Sequence, residues 1–334
     1  MKRILLLQTG GTIAMQHHEE GGPATELDYE LWERVLKHEI PQLHQIAEID
    51  IQSLFFIDSS DIASDHWITL ARVIQENETE YDGFVILHGT DTMAYTASAL
   101  SYTLRPLQKP VIITGSQVPM SNIRSDARRN LINAIEMATH PINEVAICFN
   151  DMVYRGNRTT KMSIGDFDAF ASPNFPPLAE IGLSIDFTPD ITHPQNGDAL
   201  KPVFDNRIYT VKPFPNMNPG LLHFLPYQEL DVIVLEAFGT GNFPIKGNFS
   251  LIPFLDRCVS ENIQLVVTSQ APYDSVDLTQ YDSGKAALDR GALSAKDMTV
   301  EATLTKLMYL LGNQISRNEL RKQFNRSLAG EITA

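Results

Sequence analysis

Seven short apolar runs constrain the fold more than any other feature of this chain: Ile4–Leu7, Ile51–Ile57, Phe84–Leu87, Val111–Ile113, Val145–Phe149, Val232–Leu235 and Leu265–Val267. They are rich in Val and Ile and apolar on both faces, as strands buried in a parallel sheet are. Between them the period lengthens to about 3.6 residues, the signature of amphipathic helices. Trp67, Leu70, Ala71 and Ile74 share one such face, and Leu131, Ile135 and Ala138 another. Thr299–Asn313 carries Val300, Leu304, Leu307 and Leu311 and stops at Gly312-Asn313, a helix C-terminal signal. Strands alternating with helices predict an α/β fold with a mostly parallel sheet.

A length of 334 residues suggests two domains. Nine of the 19 prolines fall between Pro173 and Pro219, where no long helix can form. The expected organisation is a larger N-terminal α/β domain over 1–190, a Pro-rich linker over 191–212 and a smaller C-terminal α/β domain over 213–334. Each domain is expected to be a mostly parallel sheet flanked by helices.

The formal net charge is −15, which repels phosphate backbones and anionic lipid surfaces, so neither nucleic acid nor membrane is an expected partner. The two cysteines, Cys148 and Cys258, read as reduced core thiols. After Met1-Lys2-Arg3 the apolar run stops at Gln8-Thr9-Gly10-Gly11. It falls short of the roughly 7–15 residues of a signal-peptide core and reads as a first strand. No run approaches the ~20 apolar residues of a membrane span, and the expected location is the cytoplasm.

Four polar segments follow strands, and in parallel sheets ligands sit beyond the carboxyl ends of the strands. In Thr9-Gly10-Gly11-Thr12 the paired glycines allow a sharp turn and close approach to a ligand, placing Thr9 and Thr12 at the mouth of a site. Alone, the motif is equally a plain strand-to-loop turn. In His88-Gly89-Thr90-Asp91-Thr92 a strand ends and a helix begins. Thr and Asp there are good helix caps, and the helix N–H groups can also receive a carboxylate. Asp58-Ser59-Ser60-Asp61 suits a small zwitterion but also reads as ordinary loop. In Tyr154–Lys161, Lys161 is a surface charge by default and gains interest only if buried beside a carboxylate. His88 itself reads as a structural hydrogen-bonder.

The sequence has no Gly-x-Gly-x-x-Gly fingerprint, no Walker A loop and no Gly-x-Ser-x-Gly elbow. Its nine histidines lack metal-binding spacing.

Together these segments resemble the bacterial-type L-asparaginases, and most closely the cytoplasmic type I branch. The resemblance spans nearly the whole chain. It includes Thr9–Ala14, Tyr81–Ala99, Thr114–Gln117, Tyr154–Lys161, Phe167–Asn174 and Asp297–Thr303. It implies an amidohydrolase that converts L-asparagine to L-aspartate and ammonia, with no cofactor and no metal. Thr12 matches the nucleophile that forms an acyl-enzyme, and Thr90, Asp91 and Lys161 match a second catalytic cluster. Gly11, Asp58, Ser59, Ser60, Gly89, Thr90 and Asp91 match substrate-binding positions. All of these lie in the N-terminal domain. The family also implies a homodimer or a dimer of dimers.

The residue types agree with that chemistry. Amide hydrolysis needs an activated nucleophile, a proton shuttle and stabilisation of the oxyanion. Asp91 beside Lys161 favours an ammonium, whereas burial favours a neutral amine able to take a proton. The chain departs from the family pattern in one place. The loop Gln16–Thr25 lacks the tyrosine that orients the nucleophile, and Gly22 stands about where it is expected. Tyr29, in a predicted helix over Glu26–Leu36, or Thr25 are the possible substitutes. The missing tyrosine motivates an alternative, an asparagine-binding or sensing module of the same fold. A tRNA-dependent amidotransferase subunit is a weaker alternative, because the chain begins at its first strand and is acidic. A nucleotide-dependent oxidoreductase is weaker still.

Overall fold

The computed structural model describes residues 1–16, 25–26, 40–189 and 200–333. The chain divides into two compact units, Met1–Pro202 and Val203–Ala334. Among the described residues the first holds, besides the short pair Met15–Gln16 and Thr25–Glu26, ten strands: β1 (Lys2–Gly10), β2 (Ala47–Ile57), β3 (Gly83–Leu87), β4 (Val111–Thr114), β5 (Val145–Phe149), β6 (Met152–Arg155), β7 (Thr160–Lys161), β8 (Phe170–Ala171), β9 (Ala179–Ile181) and β10 (Ile185–Phe187). Eight of them form one sheet in the order β10-β9-β6-β5-β4-β3-β1-β2. From β2 through β5 all pairings are parallel, whereas β6, β9 and β10 extend the sheet antiparallel.

Helices α1 (Ser64–Asn77), α2 (Met93–Thr103) and α3 (Ala127–Met137) cover this sheet. Alternation along β1 separates the two cores. Ile4 and Leu6 pack with Leu131, Ala134 and Ile135 of α3, while Leu5 and Leu7 pack with Leu70 and Ile74 of α1 and Ala97 and Leu100 of α2. Both faces of the central strands are therefore buried, which explains their continuous apolar runs. β2 departs from the expectation. It is the edge strand, and beyond Ala47 none of its residues is fully buried.

The polar segment Tyr154–Lys161 is partly regular structure. Met152–Arg155 is a strand, and Gly156–Arg158 is a buried turn. Arg155 is sequestered with Glu144 at 2.6 Å and lies over the Phe175 ring. A planar guanidinium tolerates burial when paired in this way.

The second unit is a parallel sheet whose order follows the chain: β11 (Ile208–Val211), β12 (Val232–Ala237), β13 (Gln264–Ser269) and β14 (Leu293–Ser294). β11 lies within the stretch expected as linker, of which 191–199 fall outside the described residues. Helices α4 (Ile252–Ser260), α5 (Asp282–Leu288), α6 (Val300–Gly312) and α7 (Arg317–Asn325) complete the unit. The Thr299 hydroxyl caps α6 by accepting from the Ala302 N–H.

Both cysteines are buried free thiols. Burial pushes the Cys148 thiol up and that of Cys258 up to about 12, so both stay protonated. Among the described residues no helix is long and apolar enough to cross a membrane.

Candidate active site

The site is assembled from the carboxyl ends of β1, β2, β3 and β4. At the end of β1, Gly10 and Gly11 have φ of +114° and +82°, backbone positions costly for any residue with a side chain. They also permit close packing. A Cβ on Gly10 would lie 2.4 Å from the Ile57 carbonyl oxygen, and one on Gly11 would lie 2.4 Å from the Gly89 nitrogen. The chain then makes a single turn, Thr12–Ala14, in which Thr12 is half-buried. Thr9 is not at the mouth as expected. It is buried, and its hydroxyl donates to the Leu87 carbonyl at 2.7 Å, tying β1 to β3.

After β2, Asp58 accepts from the Ser60 N–H at 2.8 Å and the Ser60 hydroxyl at 2.7 Å. Those bonds, the backbone one foremost, hold its carboxyl below the usual carboxylate value, so it is ionised at neutral pH. Ser59 is buried, and its Oγ lies 2.6 Å from where a Cβ on Gly89 would stand. Gly89 is therefore the junction of the site, in close contact with both Gly11 and Ser59.

The capping expected after β3 is not what these side chains do. Thr92 occupies the N-cap position of α2 but makes no capping bond. Its hydroxyl donates to the Ser59 carbonyl at 2.6 Å, so it ties the β3 loop to the β2 loop. Asp91 instead turns to Lys161. The Lys161 Nζ lies 2.6 Å from Asp91 Oδ1 and 2.7 Å from Thr90 Oγ1. Its side chain is 15% exposed and that of Asp91 66%. Lys161 reaches them from the β7–β8 ribbon, where it stands opposite Phe170.

Gln117 belongs to this cluster and was not singled out from the sequence. Its Oε1 accepts from the Thr90 hydroxyl at 3.3 Å, and its Nε2 donates to the Asp166 carbonyl at 3.0 Å. Its backbone N–H donates to the Asp126 carboxylate, and Asn130 of α3 clamps the same loop by donating to the Gly115 carbonyl. The available signal was position: the segment Thr114–Gln117 directly follows an apolar run, as the other site loops do. His88 is buried, as a structural hydrogen-bonder should be. Among the described residues no group of three His, Cys, Asp or Glu side chains is placed to hold a metal ion.

The geometry therefore joins Thr90, Asp91, Lys161 and Gln117 directly, and packs the Gly11 backbone and the Ser59 side chain against Gly89. Asp58 and Ser60 pair with each other. Thr12 enters through its neighbour Gly11. A family model for the asparaginase N-terminal domain matches residues 3–193, and one for the glutaminase/asparaginase C-terminal domain matches residues 207–324.

The chain belongs to the asparaginase family.

It is 39% identical over 341 residues to L-asparaginase 1 of Escherichia coli K12, covering 99% of this chain and 98% of that one. The solved thermostable L-asparaginase of Thermococcus kodakarensis superposes with a TM-score of 0.88 at 37% identity, covering 99% of both chains. The structure of L-asparaginase I from Vibrio cholerae also gives a TM-score of 0.88, at 36% identity, covering 100% of this chain and 99% of that one. The two-domain α/β architecture is thus that of the asparaginase family. Gly22, Tyr29 and most of the helix expected over Glu26–Leu36 lie outside the described residues. The backbone of Thr25–Glu26 pairs antiparallel with Met15–Gln16 in this asparaginase-family chain, so the segment returns beside the turn that carries Thr12.

Proposed function

We propose that this protein is an L-asparaginase that hydrolyses the side-chain amide of L-asparagine to L-aspartate and ammonia through an ester on Thr12. The observation that carries this reading is the Lys161–Thr90–Asp91 cluster, packed by way of Gly89 against the loop that bears Thr12. In the first step the Thr12 oxygen bonds to the amide carbon, the C–N bond breaks, and the hydroxyl proton passes to the departing nitrogen. In the second step water bonds to the same carbon, the ester C–O bond breaks, and a water proton returns to Thr12. A threonine hydroxyl needs a neighbouring proton acceptor to react. The Thr90 hydroxyl and the Lys161 amine, coupled at 2.7 Å, are the groups assigned to that transfer, with Asp91 orienting Lys161.

Asp58, Ser59, Ser60, Gly89 and Asp91 are assigned to the substrate's α-amino and α-carboxylate groups, and Gly11 to the wall behind the reacting carbon. The ionised Asp58 suits an α-ammonium. The catalytic residues are assigned to the domain over 1–190, joined by the segment over 191–212 to the smaller domain. The enzyme is proposed to work in the cytoplasm as a homodimer or a dimer of dimers, a reading supported by the family resemblance.

The test is ammonia release over a wide range of L-asparagine, with L-glutamine alongside, for the wild type and Thr12→Ala. Turnover by the wild type and none by Thr12→Ala, with asparagine still bound, is the expected result. Turnover that survives in Thr12→Ala removes the nucleophile. Binding by the wild type with no ammonia released would leave the sensing module as the reading. Sedimentation or light scattering of the purified protein tests the oligomer.

A further inference from the structure

His88 takes no part in the steps above, yet it sits one residue from the junction of the site. Its ring is fully buried. Nδ1 lies 2.6 Å from the Gly89 carbonyl oxygen, and Nε2 lies 2.8 Å from the Thr96 hydroxyl in α2. A carbonyl only accepts, so Nδ1 carries the proton. Burial pushes the His88 pKa down to about 4, against the opposing bond to Gly89, and the ring is neutral at physiological pH. Nε2 must therefore accept from Thr96. The Thr96 oxygen in turn accepts from the Trp67 indole N–H of α1 at 3.0 Å. Three bonds run in one direction, from Trp67 to Thr96 to His88 to the Gly89 carbonyl. Two helices thus fix the tautomer and orientation of one ring, the usual way a supporting shell holds a reactive one.

The Gly89 carbonyl shares its peptide with the Thr90 N–H. The one cis peptide among the described residues is Arg105-Pro106, so the Gly89–Thr90 bond is trans, and its C=O and N–H point in opposite directions. A carbonyl held inward by His88 turns the Thr90 N–H outward. That N–H has no acceptor among the described residues. The preceding peptide, His88–Gly89, abuts Gly11, the residue before Thr12, and the Gly89–Thr90 peptide leads from there into the Thr90 side chain that contacts Lys161.

We propose that His88 is a positioning residue for amide hydrolysis. By donating from Nδ1 to the Gly89 carbonyl it holds the Gly89–Thr90 peptide so that the Thr90 N–H faces the oxygen that becomes negative when Thr12 adds to the substrate. This inference rests on the Thr12 mechanism proposed above.

Two substitutions of similar polarity separate this role from simple filling of the core. His88→Asn places an amide donor near the position of Nδ1 and keeps the bond to Gly89. His88→Gln places its amide near Nε2, keeps the link to Thr96 and leaves the Gly89 carbonyl unpaired. His88→Asn is expected to keep kcat within about tenfold of wild type, and His88→Gln to lose about 10²–10³-fold, the scale of one displaced oxyanion donor. KM and the Kd for L-aspartate, which develops no oxyanion, should stay near wild type in both. A kcat for His88→Gln equal to or above that of His88→Asn overturns the proposal, as do losses that merely follow the Tm.

If neither variant is soluble, Thr96→Val removes the donor to Nε2. A fall in kcat at constant KM is then expected, and an unchanged kcat overturns the proposal. Wild type and Thr12→Ala are assayed alongside. A silent wild type or an active Thr12→Ala defeats the mechanism itself and the inference with it. An active wild type and a dead Thr12→Ala, with His88→Gln as fast as His88→Asn, defeat the role of His88 alone.

Discussion

Lys306 and Lys161, one in each unit, each hold a carboxylate, and their surroundings differ. Lys306 of α6 lies 2.5 Å from Glu331, and neither side chain is exposed at all. Lys306 also donates to the carbonyls of Phe324 and Arg326 at 2.8 and 2.7 Å. Glu331 accepts from the Leu328 and Ala329 N–H groups as well. The three ammonium donors thus meet three oxygens, and the carboxylate is bonded on both oxygens. Lys161 has two partners among the described residues, a hydroxyl and a largely exposed carboxylate. The Lys161 nitrogen has three bonding directions beyond its own chain, so one has no partner among those residues. A saturated buried pair can only hold the fold in place. An unsaturated pair at the carboxyl ends of parallel strands has bonding capacity left for a ligand.

Substitution should therefore separate activity from stability. Lys161→Met is expected to lower kcat by about 10²–10⁴-fold, the range for a removed proton-transfer group. Ammonia release measures this, and near-normal turnover would end the functional reading of the exposed pair. Lys306→Met strands a buried Glu331 and two carbonyls, and is expected to cost about 3–5 kcal/mol in denaturant unfolding. Its kcat per folded molecule should be that of wild type. A loss below about 1 kcal/mol, the scale of an exposed pair, would erase the contrast.

Acid sharpens the same contrast. Burial alone pushes Glu331 up, but the Lys306 charge and the bonds from Lys306, Leu328 and Ala329 outweigh it and hold the carboxyl below its ordinary 4.5. A depressed folded value gives stability that is fully present above the unfolded value and is lost as pH falls through the folded one. The Tm of wild type should therefore drop on acidification below pH 4.5, and Glu331→Gln, already less stable at neutral pH, should show a shallower acid limb. An unchanged acid limb in Glu331→Gln would place the titrating group elsewhere.

How far this arrangement could be read from the sequence follows from where its constraints lie. The central strands were legible because both faces are buried, and the site loops were legible because ligands collect at the carboxyl ends of such strands. β2 misled because an edge strand retains apolar residues on a half-covered face. The antiparallel strands β6, β9 and β10 are three or four residues long and partly exposed, too short for a period to register. Thr9 and Thr12 read alike in the sequence. Pleat direction sends Thr9 into the Leu87 carbonyl, and only the turn after Gly11 brings Thr12 round. Lys161 comes beside Thr90 and Asp91 from a two-residue strand paired with Phe170–Ala171, a placement with no periodic signal in the sequence. Lys306 was invisible for the opposite reason. It lies off the Val300, Leu304, Leu307, Leu311 stripe and so reads as a surface residue, and its partner is a side chain in the C-terminal segment.

The smallest expected effect is also the most discriminating. In a double-mutant cycle the coupling between two side chains is what remains after their separate losses are subtracted. For Lys161 and Asp91, measured by unfolding, that coupling should be below about 1 kcal/mol, because Asp91 is mostly in water and solvent screens the pair. Asp91→Asn alone should leave the denaturant midpoint almost unmoved while ammonia release falls. The matching cycle on Lys306 and Glu331 should give a coupling several times larger, since each single variant strands a buried group that the double variant removes. Equal couplings in the two cycles would mean that the Asp91 carboxylate is as enclosed as Glu331, and the bonding direction left open at Lys161 would then have no access to substrate.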